Sequence, residues 1–302
     1  MSPIQETIHI PGPLGLRCDK CGSPASDQIF YEKFFSDDQY ACKWCGEEMD
    51  LLVMFASLLR GEILPAESFY LLGARVSVFS ITLTAQKPYH LKFYSHGIPE
   101  GSVILRVNYT PQDAELFPIQ LHGNTVQIER FLPPEVVLYP VPLAGGSVKD
   151  SIESTVNILV TWINKSGFDY AAQSLFDALY FYHNDALEAS IIPANVAVEE
   201  SLNRLCTEWL SRVAARDRVR QFLESGATYS YQLNILLPLL AKQINVRPLN
   251  GAIVGKLNRL RRFRNGLAHT GRTSSRLSKE DAADLIGAAF LGHLYITWIG
   301  KQ

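Results

Sequence analysis

The spacing of apolar residues changes twice along this chain, and each change marks a different kind of element. In MDLLVMFASLLR (49–60) apolar positions recur every three or four residues and stop at Gly61, which predicts one short amphipathic helix. From 74 to 165 the period falls to two. Segments RVSVFSITLT, SVILRVNYT, NTVQIERF and EVVLYPV alternate or run apolar, and Pro, Gly, Asn and Asp separate them. His122-Gly123-Asn124 reads as a hairpin tip between FPIQL and VQIERF. Roughly six or seven short strands of this kind predict an all-β sandwich or small barrel.

From Gly167 onward the period is helical. FDYAAQSLFDALYFYHNDALEAS, PANVAVEESLNRLCTEWLSRV, YQLNILLPLLAKQI, IVGKLNRLRRFRNGLAH and KEDAADLIGAAFLGHLYITWI each carry apolar residues on one face. Pro193 and Pro248 stand near expected helix starts, and Gly271 with RTSSR separates the last two helices. Ser278, followed three residues later by Asp281, is a capping signal for the final helix. The expectation is a multidomain α+β chain: a short N-terminal module with a helix (1–61), a β domain (74–165) and an all-α bundle of about five helices (167–302).

Length and composition agree with several cores. The chain has 302 residues, 47% of them apolar and 19% charged, with a net charge of −2. No apolar run reaches the roughly 18 residues that a membrane crossing needs. The opening MSPIQETIHIPGP lacks the basic and apolar parts of a secretion signal, so the expected setting is cytoplasmic, with no membrane partner.

Four of the five cysteines fall as Cys18-Asp-Lys-Cys21 and Cys42-Lys-Trp-Cys45, and a glycine follows each pair. A two-residue gap lets both thiolates of a pair reach one ion from a tight turn, and two such turns supply the four sulfurs that zinc prefers. Two disulfides are the alternative, and a cytosolic setting disfavours them. The turns resemble a zinc ribbon. With every position filled by protein, the expected Zn2+ at Cys18, Cys21, Cys42 and Cys45 is structural, not catalytic. Residues 1–50 hold nine acidic and four basic side chains, a field that opposes phosphate binding, although Arg17, Lys20, Lys43 and Trp44 lie around the turns. Cys206 stands alone on an expected helix and reads as a packing residue, while His90, His96 and His122 of the β domain read as polar surface or satisfied core.

Positive charge concentrates elsewhere. Residues 251–276 carry Lys256, Arg259, Arg261, Arg262, Arg264, Arg272 and Arg276 and no acid, which suits a polyanion and bidentate phosphate contact. Inside this stretch lies Arg264-Asn265-Gly-Leu-Ala-His269. Here the sequence resembles the HEPN family, whose ribonuclease members carry Arg, four to six residues, then His, often with a polar residue after the Arg. The resemblance covers about residues 167–300. It implies an all-α HEPN-like domain, a homodimer through that domain, and a metal-independent endoribonuclease with Arg264, Asn265 and His269 as its catalytic residues and no catalytic cofactor. Lys256, Arg259, Arg261, Arg262 and Arg272 would contact the RNA. It also implies toxin or anti-phage defence roles; a regulatory partner protein is an open expectation that the sequence does not identify.

At 100° per residue, Arg264 and His269 stand about 140° apart on an ideal helix, whereas Arg262, Asn265 and His269 share a face. Either the helix loosens at Gly266 or the two residues meet across a dimer. Two rival readings stay open. The helical domain could be a non-catalytic HEPN-type dimerising or RNA/nucleotide-binding module, or the β domain could hold the ligand site.

Overall fold

A computed structural model describes residues 18, 20–23, 34–36, 41–60, 72–111, 116–121, 132–142, 152–165, 168–270 and 277–302. The expected hairpin tip at 122–124 and Arg17, Arg272 and Arg276 lie outside them. The architecture is α+β, and the chain divides into two compact units. Of the described residues, one unit holds those within 72–168; the other joins those within 18–60 to those within 169–302.

The first unit is built from β1 (Arg75–Thr84), β2 (Tyr89–Lys92), β3 (Val103–Pro111), β4 (Leu116–Leu121), β5 (Glu135–Pro142) and β6 (Glu153–Ile163). They form two antiparallel three-stranded sheets, ordered β1-β6-β3 and β2-β5-β4. Alternation decides the faces. Phe79, Ile81 and Leu83 of β1, Val156, Ile158, Val160 and Trp162 of β6, and Leu91, Leu116, Val136 and Leu138 of the second sheet share one core. The buried Trp162 indole donates to Ser77 Oγ at 2.9 Å, which satisfies the one polar atom that the ring brings inside.

The second unit contains α1 (Leu51–Arg60), α2 (Tyr170–His183), α3 (Leu187–Leu210), α4 (Arg216–Ser225), α5 (229–243, with a π turn over Gln232–Leu236), α6 (Gly251–Thr270) and α7 (Lys279–Ile299). Its centre is α7, buried from Ala282 to Ile296 on nearly every side, with α1, α2, α3 and α6 around it. By length and hydropathy α7 passes for a membrane span, yet 83% of its most apolar window is buried inside the unit. A helix apolar all round is a core helix when other helices cover it. Ser278 caps it as expected, accepting from the Asp281 amide at 3.1 Å.

Three features depart from the sequence expectation. First, α1 packs with the helical bundle: Leu51, Phe55 and Leu59 are buried, and Phe55 Cβ would lie 3.5 Å from a Cβ placed on Gly287 of α7. Phe35, from between the cysteine pairs, stacks edge-on against Tyr295 of α7 at 5.2 Å. Second, Pro193 is inside α3, not at its start; the break falls earlier, at Asp185 with φ 55°. The helix runs through the proline because Ile191, Ala194, Ala197 and Val198 on both sides of it are buried, which offsets one lost backbone hydrogen bond. Third, α4 is an extra helix. It shows only Val219 and Leu223 as a buried pair, packed near Cys206 and Ala227, too few apolar positions to stand out by period.

Candidate functional site

The cysteine turns are built by local backbone bonding. Cys18 N donates to Ser23 O at 2.9 Å and Gly22 N to Cys18 O at 2.8 Å. The second turn repeats the pattern, with Cys42 N to Glu47 O at 2.8 Å and Gly46 N to Cys42 O at 2.9 Å. Gly22 and Gly46 close the turns at φ 69° and 72°, the left-handed region that glycine enters without strain. The two turns face each other. Cys18 Sγ lies 3.6 Å from Cys45 Sγ, and Cys21 Sγ lies 3.6 Å from Cys42 Sγ. All four sulfurs are within 4.8 Å of one another. A disulfide would need about 2 Å, whereas four sulfurs about 2.3 Å from one tetrahedral ion stand about 3.8 Å apart. The four thiols could therefore hold a metal ion such as zinc.

Hydrogen bonds from the Ser23 side chain and backbone lower the Cys21 thiol to about 6. Cys45 moves the other way, to about 12: the Glu47 backbone lowers it, but desolvation and its three sulfur neighbours raise it more. Crowded thiols share few negative charges until a cation replaces their protons. Trp44 is exposed beside the second turn, and Lys20 is paired with Glu47 at 2.6 Å.

The second constellation lies on α6. Asn250 Oδ1 caps its start by accepting from Ala252 N at 2.8 Å. Ile253, Leu257, Leu260 and Phe263 form its buried face. The helix does not loosen at Gly266 and continues to Thr270. Arg264 and His269 of one chain therefore stay about 140° apart around the axis. Arg262 and His269 are exposed and Asn265 is half-buried, on the face that those three share.

The run that is acid-free in sequence is not acid-free in space. Lys256 pairs with Asp284 and Arg259 with Asp281 at 2.8 Å, both acids on α7. Arg259 also lies over the Phe263 ring at 5.3 Å. Arg264 Nη2 is 3.9 Å from Glu199 Oε2 on α3, and its Nη1 donates to Asn265 Oδ1 at 3.2 Å. The structure thus brings Arg264 to Asn265 and Glu199, leaves Arg262 and His269 open, and engages Lys256 and Arg259 internally. Arg261 is half-buried, and its Nε has no hydrogen-bond partner.

Glu199 was not legible as a site residue. It accepts from Asn195 Nδ2 at 3.3 Å, and its charge, opposed by that of Arg261, reaches the buried Tyr229, whose hydroxyl burial pushes above its ordinary value. The Tyr229 hydroxyl, Asn195 Oδ1 and Gln232 Oε1 lack hydrogen-bond partners, so a polar seam runs between α3, α5 and α6 beside Arg264. Its only sequence signal is an acid inside a helix, which spacing alone cannot tell from a solvated one.

A different polar group is closed. Ser201 Oγ donates to Ala197 O at 2.7 Å and lies 2.8 Å from His293 Nδ1, with both side chains buried. The hydroxyl has one proton, so with that proton on Ala197 O the imidazole donates from Nδ1. Burial lowers His293 to about 4; Asp169 opposes the shift and Arg204 adds to it. Ser201 is fully covered and cannot reach a substrate.

No protein-family model, curated protein or solved structure matches this chain.

Proposed function

We propose that the helical unit is a metal-independent endoribonuclease of the HEPN type, acting as a homodimer whose composite site combines the α6 motifs of two protomers. What supports it most is α6 itself. The helix is unbroken, Arg264 is held by Asn265 and Glu199, and the Arg262–Asn265–His269 face is open. A site that uses both Arg264 and His269 then needs a second copy, in a two-fold arrangement of the commonest oligomer kind.

In this reading one His269 takes the proton of a ribose 2′-hydroxyl, whose oxygen attacks the adjacent phosphorus. The other protomer's His269 protonates the leaving 5′-oxygen. The products are a 2′,3′-cyclic phosphate and a 5′-hydroxyl. Arg264 and Arg262 offset the charge that grows on the phosphoryl oxygens, and Asn265 orients one of these groups. The substrate carries its own nucleophile, so DNA, lacking the 2′-hydroxyl, is not cut.

The four thiols would hold a structural zinc ribbon, which contributes on the order of 10–16 kcal/mol to folding in modules of this kind. The ribbon and β unit would sense, recruit or restrain, with a regulatory partner protein, in a cytoplasmic toxin or defence setting where thiols stay reduced. A non-catalytic RNA-binding and dimerising module is the second reading, and the ion pairs that engage Lys256, Arg259 and Arg264 favour it.

The test is mixed RNA incubated with the full chain, with and without EDTA, beside His269→Ala and Arg264→Ala. The enzyme reading expects cyclic-phosphate ends, lost in both variants and untouched by brief chelation. RNA bound but left whole supports the scaffold. A chain that is strictly monomeric by solution mass undercuts the composite site.

A further inference from the structure

Among the described residues of the helical unit, unpaired arginines also gather away from the run where the sequence concentrates charge. Arg212, Arg216, Arg218 and Arg220 lie in the turn before α4 and on its first half, and all four are exposed. Among the described residues none of the four side chains makes an ion pair or hydrogen bond. Asp217 is the one acid between residues 211 and 220, and it is exposed as well. Arg216 and Arg220 are four residues apart, a like-charge spacing that disfavours an isolated helix. Arg218 and Phe222 share the opposite flank, where the ring is 48% exposed, and Val213 in the preceding turn is 85% exposed.

Two polyanions could answer this charge: a nucleic-acid strand or an anionic membrane. A membrane-surface helix must bury its apolar face in lipid. The apolar face of α4, Val219 and Leu223, is already buried in the protein. Beside the exposed Asp217, Gln221, Glu224 and Ser225, α4 leaves outside three guanidinium groups and one aromatic ring, the pairing that holds phosphate and stacks an unpaired base. All four cations are arginine, the side chain whose planar fork suits bidentate phosphate contact.

We propose that Arg212, Arg216, Arg218 and Arg220, with Phe222, form a docking surface for the backbone of single-stranded RNA. The inference rests on the ribonuclease reading of α6 and adds the surface that holds the substrate strand outside the reacting groups. The two sites are linked by α3. Glu199, which faces Arg264, is 11 residues from Leu210 at the end of α3 next to the arginine turn. At 1.5 Å per residue that is about 16 Å, which an extended strand spans within a few nucleotides. Short RNAs would therefore reach α6 without touching α4, and longer ones would touch both.

The test uses the full chain carrying His269→Ala, so that RNA is not consumed, with and without Arg212→Ala/Arg216→Ala/Arg218→Ala/Arg220→Ala. Binding of fluorescein-labelled single-stranded RNA of mixed sequence is followed by anisotropy across salt concentrations. The expected result is a loss of affinity on the order of 100-fold and a salt slope shallower by about 3, from four contacts at about 0.7 each. The melting temperature should change little, since none of the four side chains makes an ion pair or hydrogen bond among the described residues. Equal affinity and slope in the two proteins overturns the proposal. So does binding to phosphatidylserine vesicles that the four substitutions abolish while RNA binding persists. A dinucleotide, too short to reach α4, separates the two readings with His269 restored. Dinucleotide cleavage with unaltered RNA binding in the quadruple variant sinks the docking surface and keeps the nuclease. RNA binding lost in that variant, with no cleavage of any RNA by the parent, does the reverse.

Discussion

Helices α6 and α4 are both rich in arginine, and the protein uses them in opposite ways. On α6, Lys256, Arg259 and Arg264 reach acids on α7 and α3. On α4 and the turn before it, four arginines reach nothing among the described residues. Counting charge along the chain makes α6 the stronger anion site; counting charge left over after pairing moves much of it to α4. A paired cation fixes geometry, while an unpaired one is available for a ligand. The histidines repeat the contrast, with His293 sealed against Ser201 and His269 open at the end of α6.

The sharpest break of this comparison comes from the two histidines. If α6 carries the chemistry, His269→Ala lowers RNA cleavage by about 100- to 10,000-fold, measured as single-turnover rate, and leaves the urea midpoint unchanged. For His293 the effect is on folding. Its folded value, lowered from 6.5 to about 4, means that below pH 6.5 the unfolded chain binds a proton that the folded chain refuses. Stability is therefore full above pH 6.5 and falls as the pH drops toward 4, by up to about 3 kcal/mol. Urea denaturation at pH 7 and pH 4.5 should show a smaller loss in His293→Gln than in the parent. Equal losses would remove His293 from the account.

The next effect is smaller. Glu199→Gln frees Arg264 from its acid, and cleavage should fall about 10-fold while stability changes by no more than about 1 kcal/mol, because the pair is half-exposed. Smallest is the direct comparison of cations. Lys256→Met, which leaves Asp284 without its partner, should cost about 1 kcal/mol in urea unfolding, and Arg218→Ala should stay within about 0.5 kcal/mol. The order should reverse in RNA affinity. If Arg218→Ala destabilises more than Lys256→Met, the division into tied and free cations fails.

Much of the architecture was open to sequence reasoning because its causes are local. The cysteine turns close through backbone bonds spanning four or five residues, and each glycine stands where the turn needs positive φ. Period-two alternation in RVSVFSITLT and its partners places one face of each strand inward whatever lies opposite. The Ser278 cap and the buried face of α6 follow from spacing in the same way.

What the chain alone could not decide was where each charge and each helix finds its partner. Lys256 meets Asp284, Arg259 meets Asp281 and Arg264 meets Glu199 only after α3, α6 and α7 pack together. The same packing carries α3 through Pro193, sets α1 against Gly287, and gives α4 a place through just two buried side chains. Turns and periodicity are settled by neighbours in the chain, whereas pairing and burial depend on residues that are distant in sequence and adjacent only in space.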